Sequence, residues 1–263
     1  MNSPTITDQT IPMPNCSAEE WQIRKELAAA YRLVHNKGWT SLIFNHITAR
    51  VPGAEEHFLI NNFGLRYDEI TASNLLKVDL EGNVINGDGT ERINLAGYVI
   101  HSAIHGARED VVCALHTHGP ASVAISCLEE GFMFINQDSM QFSGQIAYHD
   151  FEGIAINEEE RDRLVADFGT KSTLILRNHG ALTVGRSVGE AFVMMWLLEH
   201  ACKIQLSVMA TGSKIHSLES GRLYSIAVGV PAQQMVLTPD GLGKLPFDAL
   251  MREVEITDPD YCT

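Results

Sequence analysis

Cysteine is scarce in this chain of 263 residues, which holds only Cys16, Cys113, Cys127, Cys202 and Cys262. The count is odd, and no two share the close spacing of a zinc knuckle or a redox pair. That argues against a disulfide-stapled scaffold and predicts reduced thiols, with Cys113 and Cys127 as small core residues. Positive charge is short as well. Nineteen Lys+Arg stand against 33 Asp+Glu, a formal net charge of -14, so the basic face of a nucleic-acid reader is missing, as is the basic patch that docks on an anionic membrane. No apolar run approaches the roughly 20 residues of a membrane span. Met1 to Pro14 shows neither a basic n-region nor an apolar h-region, so a secretion signal is not legible and a cytoplasmic protein is expected. Internal repeats and low-complexity linkers are also missing.

What is present is ordinary globular composition, 45% apolar and 20% charged, enough for one α/β domain. Residues 1–16 are expected to form a flexible arm, 17–220 the domain, and 221–263 an extension packed on it or on a neighbouring subunit. Ser17 and Glu20 have capping-box spacing, opening a helix that carries Trp21, Leu27, Tyr31 and Val34 and stops at Gly38. Short β-pieces follow from Ser41 to Ile60, broken at Pro52-Gly53, and Leu75 to Val84 reads as a hairpin turning at Glu81-Gly82-Asn83. Gly87-Asp88-Gly89 is a turn without the strand-then-helix context of a phosphate loop. Helices are predicted over Leu95 to Ala107 (Asn94 as N-cap) and from Pro120 to Ser126, with Pro at the first turn. Strands are predicted over Val111 to Thr117 and Thr173 to Leu176. Asn157 caps an acidic helix start. Val188 to Thr211 is a helix apolar nearly all round, expected to be covered on several sides. The tail after Ser217 reads as irregular.

Eleven histidines are the conspicuous chemistry, and a lone one is ordinarily structural. His116-Thr117-His118 closes an apolar strand, where i and i+2 side chains share a face and can converge on one cation. By itself the pattern is cheap, since chance placement of 11 His in 263 residues yields about half such a pair. A second buried strand ends in Arg177-Asn178-His179-Gly180. Three imidazoles at one rim of a sheet leave an open coordination position, as a catalytic metal requires. His101 and His105, at helical i, i+4 spacing with no carboxylate suitably between them, read as a surface or packing pair. His149, in Tyr148-His149-Asp150, reads equally as catalytic or as loop chemistry.

Taken together, Phe44-Asn45-His46-Ile47-Thr48, Phe63-Gly64, Thr71-Ala72-Ser73, His101-Ser102-Ala103-Ile104, His116-Thr117-His118, Ala147-Tyr148-His149-Asp150 and Leu176-Arg177-Asn178-His179-Gly180 resemble the class II aldolase/adducin family, collinearly from about residue 17 to 212. Several blocks are closer to the adducin head than to the sugar-phosphate aldolases. The resemblance implies a single three-layer α/β/α domain with a central, mainly antiparallel sheet, and tetramers with active sites between subunits. It implies a zinc ion on His116, His118 and His179. The aldolases' Ser-Ser-Glu segment, whose serines hold phosphate and whose glutamate is acid/base and resting metal ligand, falls on Leu95, Ala96 and Gly97. All three functional side chains are therefore missing.

A metal triad without that carboxylate points to a carbon–carbon lyase, decarboxylase or aldolase-like, acting on a small non-phosphorylated oxo or hydroxy acid. Decarboxylation fits best, because carbon dioxide leaves without being deprotonated. The cofactor expected is a divalent metal, zinc first, with Fe, Mn, Co or Ni as alternatives. His149 or Tyr148 is expected to return the proton, with His46 as second choice. Asn45, Gly64 and Gly97 are the expected substrate-binding positions, although Asn45 can equally hold its own turn and Gly64 serve backbone geometry. Two other readings stand beside this one: a non-haem iron oxygenase on the same scaffold, and a non-catalytic adducin-like interaction domain.

Overall fold

The computed structural model describes residues 16–53, 56–153, 158–216 and 241–263. The expected arm (apart from Cys16), the Asn157 cap and the tail between 217 and 240 lie outside the described residues.

Strands β1 (His46–Arg50), β2 (Phe58–Ile60) and β3 (Leu76–Val78) pair antiparallel in sequence order. Strand β4 (Cys113–Thr117) pairs antiparallel with β1 and with β7 (Gly180–Gly185), and β6 (Thr173–Leu176) continues antiparallel from β7. Strand β5 (Ile146–His149) closes the far edge, parallel to β6. The result is a seven-stranded, mainly antiparallel sheet of order β3-β2-β1-β4-β7-β6-β5. Helices α1 (Ala18–Asn36), α3 (Pro120–Ser126), α5 (Val188–Ala210) and α6 (Lys244–Thr257) cover one face. Helices α2 (Leu95–Ala107) and α4 (Glu158–Phe168) cover the other. This is the expected three-layer α/β/α arrangement.

Period-two alternation decides which side chains reach which layer. Cys113 and Leu115 enter the α1/α5 core, while Ala114 enters the α2/α4 core, so His116 faces α2. On β1, Ile47 and Ala49 point to the α1 side, leaving His46 and Thr48 on the α2 side. The Tyr31 hydroxyl anchors this register: it accepts from the Ile47 N–H at 2.8 Å and lies 2.6 Å from the Ile47 carbonyl oxygen. His46 and His116 are direct cross-strand partners.

Several expectations need correction. Ser17 accepts from the Glu20 N–H as a capping box requires, but the Glu20 carboxylate turns to Arg24 at 2.9 Å and Lys77 at 2.6 Å, since the buried Arg24 needs an anion. Cys127 is exposed, because it follows the last turn of α3 instead of lying within it. The tail is not wholly irregular: α6 packs on α5 and α1, burying Phe247 and Val254. With β7, α3 and α1, it accounts for the apolar girth of α5 within a single chain.

Candidate metal centre

His116 is the penultimate residue of β4 and His118 follows just beyond the strand. His179 sits in the tight connection between β6 and β7, where Asn178 takes a left-handed φ of 57° and the His179 N–H returns to the Leu176 carbonyl. Gly180 completes the turn because nothing larger fits: a Cβ there would lie 2.6 Å from the Thr117 carbonyl oxygen and 3.0 Å from the His118 ring. The three imidazoles converge, with ring centroids 4.8 to 5.0 Å apart and one nitrogen from each within 4.8 Å of the others.

His116 Nδ1 lies 3.0 Å from the Ala181 carbonyl oxygen. Donation to that carbonyl leaves Nε2 as a lone pair, the state a metal ligand needs. Its Nε2 stands 3.2 Å from His118 Nε2, and two lone pairs at that distance require a proton or a cation between them. Tetrahedral bonds of about 2.0–2.1 Å separate neighbouring ligand nitrogens by about 3.3 Å. Desolvation pushes His116 well below its ordinary pKa and His179 to about 4, and lowers His118. All three are neutral donors at neutral pH, so the donor set and its spacing fit a divalent ion.

The triad opens into a cavity of about 330 Å³, also lined by Phe44, His46, Asn94, Gly97, Ile100, His101, Phe151 and Gly153. Gly97 lines the cavity, and the space that a side chain at this position would take is filled by the His46 ring. A Cβ on Gly97 would stand 1.9 Å from His46 Cε1. His46 is 2% exposed, and desolvation pushes its pKa to about 4 against the opposing pull of the Gly97 and Phe44 backbone. Behind it lies His101, at a ring separation of 4.2 Å. Thr48 Oγ1 bridges His101 Nδ1 at 2.7 Å and His105 Nε2 at 2.8 Å.

Other expected site residues are elsewhere. Tyr148 and His149 do not line the cavity, and strand alternation sends them to opposite faces of β5. Tyr148 accepts from the Phe132 N–H beneath the Arg177 guanidinium. His149 turns toward α4, its Nδ1 2.8 Å from Asp167. Asn45 accepts from the Ser41 N–H and so holds its own turn. Gly64, at φ 117°, is away from the cavity and meets the need for a left-handed backbone. Asn94 sits at the N-cap of α2 without capping it, donating instead to the Phe44 carbonyl at 3.1 Å. His101 and His105 do form a packing pair, buried and bridged by Thr48; the sequence reading did not place His101 at the cavity, although Gly97 and His101 are one helical turn apart and therefore share a face.

Comparison with known proteins agrees with this architecture. Residues 25–206 match the family described as Class II Aldolase and Adducin N-terminal domain. The chain belongs to this family. A class 2 aldolase-type protein of Pseudomonas aeruginosa is 45% identical over 245 residues, 93% of each chain. Rat alpha-adducin is 42% identical over 242 residues, which is 89% of this chain but 33% of the adducin. An aldolase II superfamily protein from Pseudomonas syringae superposes with a TM-score of 0.84 at 45% identity, covering 94% of this chain and 97% of the other. The L-fuculose 1-phosphate aldolase of Glaciozyma antarctica gives 0.79 at 28% identity, covering 99% and 96%.

Proposed function

We propose that this protein is a divalent-metal-dependent carbon–carbon lyase, decarboxylase or aldolase-like, for a small non-phosphorylated oxo or hydroxy acid. The observation that carries the reading is the convergence of His116, His118 and His179 as neutral donors on one small cavity. Those three residues would hold the ion, zinc first, with Fe, Mn, Co or Ni as substitutes. When bound, the ion supplies Lewis-acid stabilisation of negative charge on a substrate oxygen. Ala181 keeps His116 in the required tautomer through its carbonyl. Phe44, Ile100 and Phe151 supply apolar walls. Leu95 offers no hydroxyl to a phosphate and is exposed. Of the three side chains expected to return a proton, only His46 lines the cavity, so that role passes to it. A homotetramer belongs to the same reading.

Zinc-loaded protein offered oxaloacetate and 4-hydroxy-2-oxo acids, with pyruvate release followed, is the test. Turnover that falls by about 100-fold or more in His118→Ala supports the reading. Undiminished turnover in that variant, or in chelated protein, overturns it. The likeness to alpha-adducin favours a second reading, an interaction domain without catalysis. That reading takes over if neither cleavage by the zinc form nor oxygen uptake by the iron form is measured.

A further inference from the structure

We infer that Glu199 is a positioning residue for the metal centre: from helix α5 its carboxylate holds the turn that carries His118. The inference rests on the metal-lyase reading and adds to it a residue that does not line the cavity.

His118 is held differently from the other two imidazoles. His116 lies inside β4, paired with His46 on one side and Leu182 on the other. His179 is set in the β6–β7 connection by the bond from its N–H to the Leu176 carbonyl. His118 stands past Thr117, the last ladder residue of β4, so its place follows from the junction between β4 and α3. Residues on both sides of it are tied to α5. Thr117 Oγ1 donates to Met195 Sδ at 3.4 Å, and Glu199 Oε1 accepts from the Ser122 N–H at 3.1 Å. Met195 and Glu199 are one helical turn apart and share a face.

Gly119 shows how closely the carboxylate is seated. A Cβ there would lie 2.0 Å from Glu199 Oε1 and 2.4 Å from its Cδ. The backbone does not itself demand glycine: φ of -54° and ψ of 130° are ordinary for any residue that precedes a proline. The side chain missing at 119 therefore makes room for Glu199. The Gly119 carbonyl closes the turn, accepting from the Val123 N–H at 2.9 Å and the Ser122 hydroxyl at 3.1 Å. Glu199 thus supplies, from a distant part of the chain, an acceptor for the first turn of α3, and its charge strengthens that bond.

The arrangement carries a cost that packing alone does not explain. Glu199 is 1% exposed, and its Oε2 has no hydrogen-bond partner among the described residues. An apolar side chain would fill the space without desolvating a carboxylate. It would not give Ser122 a fixed acceptor, and the turn bearing His118 would then be free to shift. An imidazole already in place loses less freedom when the ion arrives, so the ion binds more tightly.

The test is the zinc affinity of the full chain, read by chelator competition. Glu199→Leu is expected to weaken zinc by about tenfold or more. Glu199→Gln, whose amide oxygen can accept from the same N–H, is expected to restore most of the affinity. The visible d–d bands of the cobalt(II) form should change in Glu199→Leu and keep their wild-type shape in Glu199→Gln. Phe247→Ala, which loosens the packing on α5 at Gly189, away from the turn, is expected to leave zinc affinity unchanged. Should Glu199→Leu fail to fold, Gly119→Ala drives the carboxylate from Ser122 and is expected to weaken zinc likewise. Unchanged zinc affinity in the Glu199 and Gly119 variants, or an equal loss in Phe247→Ala, overturns the role of Glu199 and leaves the triad standing. A wild-type chain that takes up no divalent ion overturns the lyase reading itself.

Discussion

Thr48 has one hydroxyl proton and two imidazole neighbours, so it donates to one and accepts from the other, and the choice fixes both tautomers. Burial holds His101 well below its ordinary pKa, and burial with the nearby Arg50 takes His105 from 6.5 to about 3. The folded state therefore binds fewer protons than the unfolded chain. This contribution is intact above pH 6.5 and is lost as pH falls from 6.5 toward about 3. The unfolding midpoint should drop through that window, and His105→Leu should make the drop shallower. Equal slopes in the two proteins would contradict the account. At Gly97 the clash with His46 predicts that Gly97→Ala destabilises by about 1–3 kcal/mol, and that the cost largely disappears in a His46→Ala background. A double-mutant cycle in urea reads this directly. The triad histidines were legible as residues because each closes an apolar strand. The placement of Tyr148 and His149 away from the cavity was not legible, because their sequence neighbourhood does not reveal which face of β5 meets it.

At the scale of elements, the bounds of α2 and α3 were readable from their punctuation, Asn94 before one and Pro120 opening the other. The helix α6 escaped notice, although Phe247, Leu250, Met251 and Val254 repeat at helical spacing on the side that packs against the core. Its docking is close: a Cβ on Gly189 of α5 would lie 2.8 Å from Phe247 Cβ, and the Phe247 and Phe192 rings meet at a tilt with centroids 5.8 Å apart. Phe247→Ala should therefore cost about 3–5 kcal/mol in urea unfolding. A loss below about 1 kcal/mol would mean that α6 is an appendage and not part of the core. The missed half of the capping box has a similar cause. Local spacing assigned Glu20 to its own helix end, while Arg24 and Lys77, brought together only by the fold, claim its carboxylate.

At the scale of the molecule, the centre of the sheet assembles the site. Neighbouring strands β1 and β4 supply His46 and His116 as a cross-strand pair, and the β6–β7 connection adds His179. Helix α2 roofs them with a glycine where His46 needs room. Collinear motifs foretold the three layers and the antiparallel sheet. They did not foretell the exchange of a side chain at 97 for a ring from β1, since those positions meet only in three dimensions. The central claim is that the three imidazoles share one divalent ion. Zinc titration of the metal-free chain, followed by calorimetry and elemental analysis, tests it most directly. One zinc per chain is predicted in the wild type, with binding weakened by at least about 100-fold in His116→Ala, His118→Ala and His179→Ala alike. Failure to bind zinc or any related divalent ion, or binding that survives all three substitutions, would contradict it.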